Sequence, residues 1–319
     1  MDKIFTLAVV GPTASGKTEL AVRLAQKFDG EIVSADSMQI YKGMDIAVAM
    51  PTSQERQRAV HHLIDFVSPD TPFSVAKYTD LAGKCIRDIH NRGKLPVVCG
   101  GTGMYINSLF ENITYLSDGY DEALREKLNR LYDEIGGEKM LCMLSEKDEK
   151  TACALHPNDK KRIVRAFELI ELTGQTKTRQ NELSKINPPE FDVFYIGLTA
   201  SDRQYLYDRI NKRVDIMLEN GLENEARQFF SCSDKATAVQ AIGYKELKPY
   251  IDGLCTYEEA VQTLKMQTRR YAKRQLTWFR RNENIIWFET DKMTFDEIEE
   301  SVCAIIEKKR KEMQNNEQK

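Results

Sequence analysis

Phe5-Thr6-Leu7-Ala8-Val9-Val10-Gly11-Pro12-Thr13-Ala14-Ser15-Gly16-Lys17-Thr18 joins three patterns in one stretch. The first six residues are apolar and largely suited to a strand, and the run ends at a glycine-rich turn. From Gly11 to Thr18 the chain then matches G-x-x-x-x-G-K-[ST], a pattern that chance produces in roughly one chain of this length in a hundred. Beyond it Leu20, Ala21, Leu24, Ala25 and Phe28 recur at helical spacing. Strand, glycine turn and helix in that order form a phosphate cradle. Glycines let backbone N–H groups converge on phosphate oxygens, and the helix adds its positive end. Lys17 supplies a point charge and Thr18 a hydroxyl for Mg²⁺.

The rest of the chain extends this unit. Glu31-Ile32-Val33-Ser34-Ala35 reads as a second strand, residues 74 to 92 as a helix, and Leu95-Pro96-Val97-Val98-Cys99 as a third strand closed by Gly100-Gly101. Alternating strands and helices predict an α/β fold, a doubly wound parallel sheet of the P-loop NTPase type. Residues 121 to 183 show helical patterns and no convincing strand, and strand character returns at Phe191-Asp192-Val193-Phe194-Tyr195-Ile196-Gly197-Leu198. The economical division is a core over 1–112 and 191–290, a helical insertion over 113–190, and a C-terminal helix and tail over 291–319. A late run, Ile285-Ile286-Trp287-Phe288, rejoins the core, while the charged, amide-rich end from residue 307 is expected to fray.

Composition narrows the class. The chain has 319 residues, 41% hydrophobic and 30% charged, with a net charge of −3 that by itself argues for no nucleic-acid partner. Seven cysteines are scattered without a C-x-x-C pair, which excludes a readable zinc finger and suits reduced thiols. No signal peptide opens the chain and no apolar run reaches the ~20 residues of a membrane span, so a soluble, cytoplasmic protein is expected.

A P-loop identifies phosphate binding, not a reaction. Hydrolases and kinases of this class usually carry an acid after an apolar strand to order Mg²⁺ and water. The best candidate strand here runs into Gly100-Gly101-Thr102-Gly103 with no carboxylate. Asp36, just past the second strand, can instead lie beside the P-loop in the crevice where such sheets bind ligands.

The P-loop, Ser34-Ala35-Asp36-Ser37-Met38-Gln39-Ile40-Tyr41 and Gly100-Gly101-Thr102-Gly103-Met104-Tyr105 together resemble the tRNA dimethylallyltransferase family, in its bacterial type. So do His156-Pro157-Asn158-Asp159, Ala241-Ile242-Gly243-Tyr244-Lys245-Glu246 and Tyr271-Ala272-Lys273-Arg274-Gln275 through Trp278-Phe279-Arg280. The resemblance implies transfer of a dimethylallyl group from its diphosphate to N6 of the adenosine 3′ of the anticodon, in tRNAs reading codons that begin with U. It implies Mg²⁺ as cofactor, the anticodon stem-loop as partner, and a monomer.

Within that reading Gly11, Pro12, Thr13, Ala14, Ser15, Gly16, Lys17 and Thr18 hold the diphosphate. Asp36 is the candidate base toward the amine, or else a neighbour of the Mg²⁺ at Thr18. Arg213 reaches the same diphosphate by family likeness, with Arg209 one turn away as a weaker candidate. Ser37, Met38, Gln39 and Thr102 face the tRNA by the same likeness, Gln39 reading the target base, which must be extruded from its stack. Arg125 and the segment Lys160, Lys161, Arg162, Ile163, Val164 and Arg165 are assigned to the anticodon stem-loop.

Charge distribution supports an RNA face. Between Glu259 and Glu283 no acid occurs, yet Lys265, Arg269, Arg270, Lys273, Arg274, Arg280 and Arg281 do, interleaved with Tyr271, Trp278 and Phe279. Basic side chains neutralise phosphates and aromatics stack unpaired bases, although a core position for Trp278 and Phe279 is the alternative. One segment departs from the family: where members continue Gly-Thr-Ala-Lys, this chain has Ala47-Val48-Ala49-Met50, losing a hydroxyl and a positive charge. Two rivals remain at this level. A metabolite kinase accounts for the P-loop and Asp36 but not the basic segment, and a non-catalytic RNA-binding module leaves the P-loop idle.

Overall fold

A computed structural model describes residues 3–115, 121–184, 186–232 and 237–317, without the side chains of 232, 237 and 312–317. Two compact units divide the chain, one made of residues 1–109 and 190–319 and the other of 110–189.

The first unit is built on a six-stranded parallel sheet in the order β3-β2-β4-β1-β5-β6. Its strand β1 (Ile4–Val10) runs into the P-loop, and helix α1 (Lys17–Lys27) begins at Lys17. Then come β2 (Gly30–Ser34), α2 (Ser53–Arg58), β3 (His61–His62), α3 (Val75–Asn91), β4 (Leu95–Gly100) and α4 (Gly103–Phe110). From Leu7 to Val10 every residue is buried, as a strand covered on both faces requires. β1 pairs with β4 on one side and β5 (Phe191–Thr199) on the other, so the P-loop leaves the middle of the sheet. β4 separates β1 from β2, which sets the turns after β1, β2 and β4 around one crevice.

The second unit holds α5 (Glu122–Ile135), α6 (Gly137–Lys147), α7 (Glu149–Cys153), α8 (Lys160–Thr173) and α9 (Lys177–Ser184), with no strand among its described residues. Its core gathers Leu128, Met140, Leu144, Ile163, Val164 and Phe167. Asp148 ties α7 to α9 by accepting from the backbone N–H and the hydroxyl of both Thr151 and Thr178.

After β5 the first unit continues with α10 (Arg203–Glu219), α11 (Leu222–Cys232), α12 (Tyr244–Ile251), α13 (Tyr257–Phe279), β6 (Ile286–Glu289) and α14 (Phe295–Glu317). A helical core of Val214, Leu222, Ala241, Tyr244, Leu247 and Leu264 closes over Ile40, Tyr41 and Met44 from the segment after β2. The end expected to fray is instead helical to Glu317, and residues 318 and 319 lie outside the described ones. The cysteines whose side chains are described are free thiols; the side chain of Cys232 is not among them. No helix among the described residues is long and apolar enough to cross a membrane.

Candidate active site

The P-loop is shaped by its backbone. Gly16 stands at the N-terminus of α1 with φ +92°, a left-handed conformation that favours glycine, and a Cβ there would come within 2.2 Å of the Phe295 ring. No side chain caps the helix, so its first-turn N–H groups stay open to an anion. Ala14 also has positive φ, and Arg209 donates from Nε to its carbonyl at 2.9 Å. The Ser15 hydroxyl is buried with no hydrogen-bond partner, a polar atom that a ligand oxygen would satisfy.

A cavity of about 270 Å³ opens beside this loop, and Thr13, Lys17, Thr18, Asp36, Arg213 and Arg274 line it. Its two central cations are strained by burial. Burial pushes the Lys17 ammonium below its ordinary value; the Arg213 cation adds to the effect, while the Asp36 carboxylate opposes it. Burial likewise lowers Arg213, and Asp36 again opposes. Two desolvated cations with one nearby carboxylate make a site that gains from a polyanion. Lys17 Nζ rests on Pro12 O at 3.2 Å. Asp36 Oδ1 accepts the Met38 N–H at 2.9 Å, which fixes the turn and directs the carboxylate.

The turn after β4 braces the turn after β2. Thr102 Oγ1 accepts the Ser37 N–H at 3.0 Å, and Thr102 N donates to Ala35 O at 3.1 Å. Thr102 therefore supports the segment that carries Asp36 and Ser37, while those two residues and Met38 line the cavity. Gln39 lines it too, but its amide is engaged: Oε1 accepts from the Ser34 hydroxyl at 2.9 Å and Nε2 donates to Ala49 O at 3.1 Å.

Helix α13 contributes groups that the sequence motif contained without revealing their roles. Gln275, 5% exposed, accepts the Thr13 N–H at 2.8 Å and donates to Gly101 O at 3.0 Å. Gly101 is needed for this approach, since a Cβ there would lie 2.1 Å from Gln275 Nε2. Tyr271 lines the cavity; burial pushes its phenol well up, and the Asp36 charge adds. Gln240, Lys245, Thr268 and His61 complete the polar lining. His61 lies on a two-residue strand too short for any periodicity to announce.

Of the basic residues on α13, Arg270, Lys273 and Arg274 are exposed, with Arg274 5.8 Å over the Tyr271 ring. Others are committed to the fold: Lys265 pairs with Asp215, and Arg269 donates to Asn211 Oδ1 at 2.7 Å. Phe279 is core, at 2% exposure, whereas Trp278 packs over Gly103 and donates to Asn107 Oδ1 at 3.4 Å.

In the helical unit the assigned residues divide between core and surface. Ile163 and Val164 turn their side chains into the core at 0% and 3% exposure, because α8 must bury its apolar stripe. Arg125 and Arg165 both pair with Glu168, whose side chain is fully buried, at 2.6 and 2.7 Å. Lys161 and Arg162 remain exposed, and Lys160 pairs with Asp133 at 2.6 Å.

With this geometry in place, comparison with known proteins is informative. Residues 39–282 match the family model described as IPP transferase, and residues 4–65 match one described as isopentenyl transferase. The tRNA dimethylallyltransferase of Halalkalibacterium halodurans is 45% identical over 310 residues, covering 96% of this chain and 98% of that protein. That of Acetivibrio thermocellus is 48% identical over 299 residues, covering 93% and 95%. Among solved structures, the full-length tRNA isopentenylpyrophosphate transferase of Bacillus halodurans superposes with a TM-score of 0.75 at 42% identity, covering 99% of this chain and all of that one. A eukaryotic dimethylallyltransferase acting on tRNA gives a TM-score of 0.76 at 29% identity, covering 90% of this chain and 74% of that one.

Proposed function

Because the chain belongs to the IPP transferase family and is a prenyltransferase that transfers a dimethylallyl group to tRNA, we propose that its P-loop cavity takes dimethylallyl diphosphate and the N6 amine of the adenosine 3′ of the anticodon. The observation that carries this reading is that one cavity is lined by Lys17, Thr18, Asp36 and Arg213 together with the exposed Arg274 of α13.

The P-loop amides, Lys17 and Arg213 bind the diphosphate, and their charge counts most as the leaving group gathers negative charge. The allylic C–O bond breaks with its electron pair leaving on the diphosphate, the N6–C bond forms, and the amine proton passes to the Asp36 carboxylate. Thr102 acts through Ser37, keeping the Asp36 turn in place. A divalent cation fits this donor set, with the Thr18 hydroxyl as ligand and Asp36 nearby, and would neutralise diphosphate charge. Arg270 and Arg274, with Lys161 and Arg162 of the helical unit, are the candidate contacts for the anticodon stem-loop.

Incubation with dimethylallyl diphosphate, Mg²⁺ and unmodified tRNA, followed by nucleoside mass analysis, tests the reading. Prenylated adenosine should form without ATP. ATP-dependent phosphorylation of a small molecule, with no prenyl transfer, would overturn it.

A further inference from the structure

One wall of the cavity, formed by Ala47, Val48 and Ala49, is held from behind through its backbone. Glu225 on α11 accepts the Ile46 N–H on Oε2 at 2.8 Å and the Ala47 N–H on Oε1 at 2.9 Å. The same Oε1 accepts the Tyr244 hydroxyl at 2.9 Å. Tyr244 is wholly buried at the start of α12, where Gly243 donates its N–H to Glu246 Oε2 at 2.9 Å. On the far side of the loop, Gln39 Nε2 donates to Ala49 O. Ala49 itself has φ +45°, a backbone that a residue with a Cβ adopts only when its surroundings impose it.

These hydrogen bonds share one property: none is made by a side chain at positions 47 to 50, so the path of the wall is tied down through its backbone. What Ala47, Val48 and Ala49 give the cavity is a small, apolar surface, and Val214, Met217 and Leu264 add further apolar lining. The polar cradle at Lys17 and Arg213 and these apolar residues line the same cavity, a combination that a short branched alkyl diphosphate matches.

We propose that Glu225 is a positioning residue that sets the width of the alkyl pocket through the backbone of Ile46 and Ala47, and so selects a five-carbon donor over longer prenyl diphosphates. This rests on the reading of the cavity as the site of dimethylallyl diphosphate. Charge-assisted bonds from two adjacent N–H groups to one carboxylate are strong and directional, so their removal releases the wall without touching the P-loop.

The experiment compares dissociation constants of dimethylallyl diphosphate, geranyl diphosphate and inorganic diphosphate for the full chain and two variants. In Glu225→Ala the preference for dimethylallyl over geranyl diphosphate should fall about tenfold or more, the scale on which a pocket distinguishes alkyl lengths, with inorganic diphosphate unaltered. In Glu225→Gln one acceptor oxygen survives while the new NH₂ opposes a backbone N–H, so a smaller fall is expected. A purely structural role lowers the folded fraction and leaves the ratio of constants as it was; that result in either variant overturns the proposal. So does equal weakening of all three ligands, which would place the effect at the cradle. If Glu225→Ala does not fold, Glu225→Gln decides alone. Wild-type chain that binds inorganic but not dimethylallyl diphosphate would remove the reading underneath, a result distinct from an unchanged ratio.

Discussion

The side chain of Gln275 accepts the backbone N–H of Thr13 at 2.8 Å, joining the exposed-arginine helix α13 directly to the P-loop. Its other amide atom donates to Gly101 O, so one buried side chain fixes the distance between the turns after β1 and β4. Arg274 is its neighbour in sequence and lines the same cavity.

Replacing Gln275 by Ala should leave the Thr13 N–H and the Gly101 carbonyl without partners at a buried turn. Each unsatisfied group costs about 1–3 kcal/mol, a loss that denaturant titration resolves. Gln275→Glu keeps an acceptor for Thr13 but turns a second oxygen toward Gly101 O, and should be no better. Equal stability of wild type and Gln275→Ala would show the bridge to be idle.

Asp36→Asn preserves shape and removes the proton acceptor. Transfer in a single turnover should slow by roughly 10²–10⁴-fold, with tRNA and diphosphate affinity far less affected. A near-normal rate removes Asp36 from the base role. Loss of diphosphate affinity along with the rate would reassign it to the metal.

Arg270 and Arg274 are exposed on one helix, and replacing both by Ala should weaken tRNA binding and flatten its salt dependence. Each lost phosphate contact lowers the log–log slope by about one unit or slightly less. An unaltered slope in a folded double variant means that this face does not meet RNA.

Glu31 lies on β2, the strand that leads to Asp36, and its carboxyl is held at about 2, below its ordinary 4.5. Bidentate hydrogen bonds from Arg92 do most of this against the opposing effect of burial, with His62 and Lys94 assisting. A depressed carboxylate contributes stability that is complete above about 4.5 and lost as pH falls through about 2. Glu31→Gln should therefore be less stable than wild type at neutral pH, with the gap in denaturant midpoint closing as pH falls across that interval. A gap that persists at the acid end refutes the assignment.

What the sequence disclosed follows from how far each signal reaches. The β1 run, the P-loop and the start of α1 are contiguous, so strand, loop and helix could be read together, and Asp36 follows a strand of its own. The roles of Gln275 and Glu225 could not be read this way, because each acts on backbone atoms far away in the chain, Thr13 and Ala47. Nothing in a side chain's own neighbours announces which distant amide it will meet. Burial within the basic segment is a matter of helix phase: α8 turns Ile163 and Val164 inward and leaves Lys161 and Arg162 exposed, a division that the run of basic residues alone does not display.

The placement of β5 beside β1 bears on how the protein is made. The flank of the P-loop strand that β5 supplies is synthesised some 180 residues after β1, once the helical unit between them has emerged. Arg213 comes later still, and the Gln275 brace for Thr13 lies 262 residues beyond it. A nascent chain thus carries its glycine loop long before it carries a diphosphate site, and contacts of such long range form slowly. Ligand capture by this enzyme is in effect a report that the chain has been made at least as far as α13.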